Sequence, residues 1–277
     1  MSTAFQGTAW ALSSEGVAKA ASGLGVQAAE IWTVLTVETS GCGYLSDRRP
    51  QILYERHKFH GHTKGKYSDE HSDISHPSAG GYGRHGASQY SRLTRAIALD
   101  RKAALHSASW GLGQIMGSNF AHAGFKNVES MVDAMLRSED EQLAATAAFL
   151  GHDKTLSSAM QSHNWAAFAR KYNGPRYAIN QYDVRLAGHY KKLSTGKLPD
   201  LNIRAAQLYL TYLGFKPGTV DGKVGPKTLQ ALAEFQKKHG LRVTSGIDHD
   251  TVAQLRSTLP SVDSATTPQA PVGAGRS

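Results

Sequence analysis

"VQAAEIWTVLTVETSGCG", residues 26–43, reads as a helix that carries an acid to its end. Ala28, Ile31, Trp32 and Leu35 fall at i, i+3, i+4 and i+7, the spacing of one buried helical face. Glu38 follows Ile31 by seven residues, which at about 3.6 residues per turn is roughly 20° around the axis. Its carboxyl therefore points with the apolar stripe, and "SGCG" is expected to end the helix with a sharp turn. Partial desolvation and the negative end of the helix dipole both disfavour the anion, so the pKa is expected to rise. A carboxyl still protonated near neutral pH is the general acid that cleavage of a glycosidic bond requires. The competing reading is a solvated glutamate at a frayed helix end.

Downstream, "QILYERHKF", residues 51–59, alternates Ile52, Tyr54 and Arg56 against Leu53, Glu55 and His57, which predicts a short β-like run after Pro50. From such a strand Glu55 can share a groove with Glu38 and steady an oxocarbenium-like transition state or activate a water. Alternatively, Glu55 pairs with Arg48 or Arg56 on the surface. Two further stretches suit a sugar, which has apolar ring faces and many hydroxyls. "SASWGLGQIMGSNF", residues 107–120, sets glycines around Trp110 and Gln114, so that backbone can approach a ligand and an amide and an indole are on offer. "KYNGPRY", residues 171–177, ends a helix with Tyr172 and Asn173. Core packing competes for Trp110 and Tyr172.

A chain of 277 residues is about the length of two domains at roughly 150 residues each. With 40% hydrophobic and 19% charged residues it has the composition of a soluble globular protein. No run of about 18 apolar residues occurs, so stable membrane insertion is not expected. The start "MSTAFQGTAWALSSEG" lacks a basic, apolar secretory leader. Synthesis in the cytoplasm without a signal peptide is therefore expected. Cys42 is the only cysteine, which excludes an internal disulfide and a four-cysteine zinc site. The formal charge of +9 is spread evenly: residues 1–197 carry 22 basic and 16 acidic side chains, and residues 198–259 carry 8 and 5. No run of five or six like charges occurs, which argues against a nucleic-acid groove.

"KKLSTGKLPD", residues 191–200, reads as a linker. Beyond it, "IRAAQLYLTYLGF" places Ile203, Ala206, Leu210 and Leu213 at helical spacing before Gly214. "VDGKVGPKTLQALAEFQKKHGL" has a tight Asp-Gly turn, Pro226 at a first helical position, and Leu229, Leu232 and Phe235 on one face. "SGIDHDTVAQL" opens a third helix capped by Asp248 or Asp250, with Val252 and Leu255 inward. The run Asp221-Gly222, Gly225-Pro226, Thr228, Ala231, Phe235-Gln236, Gly240-Leu241, Gly246, Asp250 resembles the three-helix peptidoglycan-binding domain of cell-wall hydrolases.

The first part of the chain resembles the N-acetylmuramidase family of phage endolysins, within the lysozyme superfamily. The resemblance rests on "VETSGCGY", "ILYERHKF", "GGYG", "ASWGLGQIMG" and "YNGPRY", which occur in order between about residues 30 and 190. It implies a mainly α fold (α+β with a small β element), lysozyme-like, followed by the small three-helix bundle. The implied layout is 1–193 catalytic, 194–200 linker, 201–259 peptidoglycan-binding and 260–277 a disordered tail. It further implies that Glu38 is the catalytic acid and Glu55 the second carboxylate, and that the "GLGQI" turn and "YNG" line the glycan groove. Asp73 is a third polar candidate, as a water-orienting group. The implied reaction is hydrolysis of the β-1,4 link from N-acetylmuramic acid to N-acetylglucosamine in the bacterial wall, by a monomer, on glycan strands, without a cofactor. Ser138 and Glu141 are expected to form a capping box ahead of Leu143, Ala147 and Leu150. The histidine-rich "RHKFHGHTKGKYSDEHSDISHP", residues 56–77, holds His57, His60 and His62 close together, yet it has no HExxH pattern and reads as a loop rather than a zinc site. A lytic transglycosylase using one glutamate, a zinc amidase and a non-catalytic wall-binding protein remain the alternatives.

Overall fold

The computed structural model describes residues 4–38 and 42–262. The helices of the first part are α1 (Ser14–Leu24), α2 (Ala28–Glu38), α3 (Arg56–His62), α4 (Ser88–Leu99), α5 (Arg101–His106), α6 (Val128–Arg137), α7 (Glu139–His152), α8 (Lys154–Gln161), α9 (Trp165–Tyr172) and α10 (Tyr182–Thr195). A small antiparallel sheet joins β1 (Ile52–Tyr54), β2 (Ala108–Trp110) and β3 (Ile115–Met116) in that order. Helices α11 (Leu201–Tyr212), α12 (Pro226–Lys238) and α13 (His249–Ser257) follow. The molecule is mainly helical with a small β element, a lysozyme-like α+β unit followed by a helical bundle.

Helix α2 is the central one. Ile31, Trp32, Val34, Leu35 and Val37 are all buried, so its apolar contacts run nearly all the way round rather than along the single face that the spacing predicts. Helix α10 lies along α2, and α1 along α7. One core cluster gathers the sheet with α4, α5 and α6 around Tyr54, Leu93 and Trp110; a second gathers α1, α2, α8 and α9 around Trp32, Leu35 and Phe168.

The β-like run is shorter than its alternation suggests. Tyr54 already faces Ala108, the first residue of β2, so the ladder stops there. Glu55 instead occupies the N-cap position of α3, its N–H donating to the Ser107 carbonyl at 2.9 Å. A hairpin joins β2 to β3, with Gly111 and Gln114 both at positive φ (67° and 49°). At Gly111 and Gly113 the close backbone approach is made toward α7. A Cβ on Gly113 would lie 2.1 Å from Thr146 Oγ1, and one on Gly111 would lie 2.7 Å from Gln142 Cδ. Gln142 secures the same turn, its Oε1 accepting from the Leu112 N–H at 2.8 Å and its Nε2 donating to the Met135 carbonyl at 2.8 Å. Gly113→Ala is therefore expected to destabilise the protein by about 1–3 kcal/mol, the usual cost of overpacking a filled contact, as read from the midpoint of chemical unfolding.

The capping at Ser138 is half of the expected box. Ser138 Oγ accepts from the Glu141 N–H at 3.1 Å, but the Glu141 carboxylate turns to Arg137, whose Nε donates to it at 2.6 Å. The reason is the i,i+4 spacing of an opposite charge, which competes with the reach back to the cap.

In the C-terminal bundle Pro226 begins α12 and Asp248 caps α13, its side chain accepting from the Thr251 N–H at 2.9 Å. The Asp-Gly turn is held from within by Gln207, whose Oε1 accepts from the Asp221 and Gly222 N–H groups at 3.0 and 2.9 Å. This bundle packs on the N-terminal arm: Trp10 meets Tyr209 edge-on, the Tyr209 hydroxyl accepts from the Ala11 N–H, and the Tyr212 hydroxyl donates to the Ala9 carbonyl. Arg204, fully buried, reaches across to the equally buried Glu139 at the start of α7. Of the expected tail, residues 263–277 lie outside the described residues, as do Ser40 and Gly41 of the "SGCG" turn.

Candidate active site

Glu38 is the last residue of α2, and burial raises its carboxyl above the ordinary glutamate range. Two weaker effects oppose that rise: an amide hydrogen bond from Asn173 and the charge of Arg185. Asn173 Nδ2 donates to Glu38 Oε1 at 3.1 Å. The amide is placed there because α9 ends at Tyr172 and its C-cap, Asn173, turns the side chain back toward α2. Arg185, on the first turns of α10, donates to the Val37 carbonyl at 3.3 Å, tying α10 to the end of α2.

Tyr172 forms the wall beside this acid. Its ring stacks on Phe168 with centroids 5.4 Å apart, and its hydroxyl donates to the Gly113 carbonyl at 2.6 Å. Burial, with the charge of Glu38 adding to it, holds that hydroxyl well above the usual tyrosine range. Tyr172 thus couples the hairpin turn to the acid rather than offering a free hydroxyl. Gln114 is likewise occupied: its Oε1 accepts from Ser109 Oγ at 2.9 Å, and its Nε2 donates to the carbonyls of Gly111 and Gln51 at 2.9 and 3.3 Å. Trp110 corrects the sequence reading outright. It is 0% exposed, packs against Phe5, and donates its indole N–H to the Leu105 carbonyl at 3.2 Å, so no face of it is left for a sugar.

Glu55 stands at the other end of β1. From Gln51, which accepts from the Gly111 N–H, to Glu55 is about 13 Å of strand at roughly 3.3 Å per residue. Its half-buried carboxylate lies 3.4 Å from His57 Nε2, so its neighbour is a histidine of its own helix rather than Arg48 or Arg56. Asp73 lies toward this end. Its carbonyl accepts from Arg92, which also donates to the Tyr54 carbonyl. Its carboxylate is exposed and accepts from both terminal nitrogens of Arg95 at 2.5 and 3.1 Å, and that guanidinium holds it below the usual aspartate range. That geometry is a pin between α4 and the segment that follows α3. The histidine-rich stretch expected to be a loop begins as helix α3, on which His60 Nδ1 contacts Ser68 Oγ and His62 packs edge-on against His106. Among the described residues no cluster of three His, Cys, Asp or Glu is arranged to hold a metal ion.

Sequence reasoning missed three contributors: Arg185, Tyr182 and Glu139. Tyr182 senses the charge of Glu38 from the start of α10, and Glu139 accepts from the Gly43 N–H at 2.9 Å, fixing the far side of the turn that follows the acid. Each lies about a hundred or more residues from Glu38, and no local pattern links them. Asn173→Ala is expected to lower kcat by about tenfold, the equivalent of one charge-assisted hydrogen bond. Because that bond lowers the pKa of Glu38, its loss is also expected to shift the alkaline limb of the pH–rate profile upward.

Residues 27–194 match the N-acetylmuramidase family, and residues 200–255 match a peptidoglycan binding domain. The chain is 38% identical to the endolysin of Burkholderia AP3 phage, whose crystal structure superposes with a TM-score of 0.62 over 66% of this chain and 71% of that one. No curated protein matches. The chain belongs to the N-acetylmuramidase family. It is a glycoside hydrolase of the muramidase type that acts on the peptidoglycan of the bacterial cell wall. No helix among the described residues is long and apolar enough to cross a membrane.

Proposed function

We propose that the chain hydrolyses the β-1,4 bond between N-acetylmuramic acid and N-acetylglucosamine, with Glu38 as general acid. One observation carries this reading: a carboxyl at the end of a buried helix, its pKa raised by desolvation and its orientation held by the Asn173 amide. Glu38 gives its proton to the glycosidic oxygen as the bond to the sugar's anomeric carbon breaks. Glu55, in a different environment beside His57, serves as the second carboxylate, which stabilises the developing positive charge or draws the proton from the attacking water. Asp73 supports the loop through Arg95 and acts on the reaction only by holding Glu55's end of the sheet. The evenly spread charge argues against a nucleic-acid groove, and the proposed working form is a monomer on glycan strands.

Mass spectrometry of digested muropeptides tests the bond and the chemistry together. Reducing N-acetylmuramic acid ends are the expected product. Reducing N-acetylglucosamine ends would overturn the assignment of the bond, and 1,6-anhydro ends would show a lytic transglycosylase, in which the sugar's own 6-hydroxyl attacks. Glu55→Gln is expected to reduce turnover about 10²-fold or more, as loss of a positioned acid–base group does. A variant that retains most activity would remove Glu55 from the reaction.

A further inference from the structure

Between α2, α10 and the C-terminal bundle lies a cavity of about 550 Å³, within the roughly 300–1,000 Å³ of ligand sites. Its floor is apolar, made by Trp32, Leu35 and Leu112. Its rim is basic, with His189 and Lys192 from α10, Lys197 from the connection and Lys223 from the bundle. Among the described residues none of these three lysines is ion-paired with a carboxylate. The acid in the lining, Asp221, has its Oδ1 engaged by the Lys223 N–H and by Gln207 Nε2. The cavity thus has an apolar base, a surplus of positive charge, and contributions from both parts of the chain.

It also has a fixed relation to Glu38. Thr36, two residues before the acid, lines it, and α10 carries Arg185, His189 and Lys192 at i, i+4 and i+7, one helical face running away from the acid. Seven residues of helix advance about 10 Å. In peptidoglycan the sugars bear no net charge once the muramic lactyl group is amidated. The carboxylates belong to the peptide that hangs from that group, on the same sugar whose bond is cut. Three residues of extended peptide also reach about 10 Å.

We propose that this cavity binds the carboxylate-bearing stem peptide of the glycan strand undergoing cleavage, with Lys192, Lys197 and Lys223 pairing its carboxylates and Trp32 and Leu35 receiving its apolar parts. The proposal rests on the reading that Glu38 works on peptidoglycan glycan. On that basis the C-terminal bundle does more than hold the wall, because it completes a site that selects peptide-bearing strands. Burial lowers the pKa of His189, followed by the charges of Lys192, Arg185 and Lys223. All of these charged neighbours are cations, so the rim presents one sign of charge.

The test is a calorimetric titration of the full chain with a synthetic stem tripeptide, L-Ala-γ-D-Glu-meso-diaminopimelate, at low salt. Wild type is expected to bind it, K192E/K223E at least tenfold more weakly, and the same peptide with its carboxylates amidated equally weakly to wild type. Binding is also expected to fall as salt rises. Because the two lysines are exposed, the double variant is expected to melt with wild type. Should it not, the amidated peptide and the salt series carry the test on wild type alone. No binding by wild type, or equal binding of the free and amidated peptides, overturns the proposal. Release of reducing ends from intact, peptide-bearing peptidoglycan is measured separately. Cleavage without tripeptide binding removes the cavity and spares the muramidase reading, and binding without cleavage does the reverse.

Discussion

If Glu38 is the general acid proposed, Glu38→Gln is expected to lower kcat on purified peptidoglycan by about 10²–10⁴-fold, the contribution of a positioned general acid, with little change in binding to the wall. Glutamine keeps the shape of the side chain and the contact with Asn173 but has no proton to give. The pH dependence follows from the direction of the shift. Wild-type activity needs the protonated carboxyl, so it falls as pH rises through the raised pKa of Glu38, and that limb is absent from whatever activity the variant retains. Stability moves with it. A carboxyl whose folded pKa lies above its unfolded value binds more protons in the folded state, so its contribution is fully present below the ordinary glutamate range and is lost as pH rises through the folded value. The variant escapes that loss. Its melting temperature is therefore expected to equal or exceed that of wild type at neutral pH, with the difference vanishing in acid. Full activity in the glutamine variant would end the assignment.

Arg204→Ala is the second large effect, expected to destabilise the folded chain by about 3–5 kcal/mol, the cost of leaving one member of a buried ion pair alone. Glu139 is 0% exposed and accepts from the Leu12 N–H and the Gly43 N–H, both at 2.9 Å, as well as from Arg204 Nη2 at 2.7 Å. One carboxylate therefore ties together the N-terminal arm, the loop that leaves Glu38 and the C-terminal bundle. Losing the guanidinium leaves a buried anion with backbone donors alone. Denaturant unfolding followed by tryptophan fluorescence measures the change, and the turnover of the surviving folded fraction shows whether Gly43 still holds its place. Glu139→Gln combined with Arg204→Met is expected to recover part of the loss, since no uncompensated charge is then left buried and the amide oxygen can still accept from a backbone N–H. A change under about 1 kcal/mol would mean that the pair is solvated and worth no more than a surface bridge.

How much of the site was legible in the sequence depended on how local its causes were. The place of Glu38 at the end of a buried helix was legible because helical phase is a short-range property: seven residues from Ile31 fixes a direction, and a stop signal follows. Asn173 was found because a helix end followed by Gly174-Pro175 marks a polar edge. Trp110 was misread because an indole among glycines looks alike whether those glycines open a pocket or close a core. The difference lies in the packing of Phe5 on the indole and of Thr146 and Gln142 of α7 on the glycines, contacts made from distant parts of the chain. Glu55 was placed in a strand by its alternation, and that strand ends one residue earlier, where β2 runs out of partners.

By itself the sequence determined the helical character, the family resemblance and the candidate acid at a helix end, because each rests on spacing within a turn or two or on motifs in order. Only the tertiary structure decided which polar groups are free. It turned Gln114 and Tyr172 inward as struts of the hairpin turn, gave Asp73 to Arg95, and brought Arg185 and Tyr182 to Glu38 from the start of α10. It also set Arg204 on Glu139, so that the bundle and the catalytic part enclose a basic cavity that Thr36, two residues before Glu38, helps to line. The physical reason is common to all of these. A hydrogen bond or ion pair between residues far apart in the chain depends on how helices pack, and packing is a property of the whole core, which no short window of sequence contains.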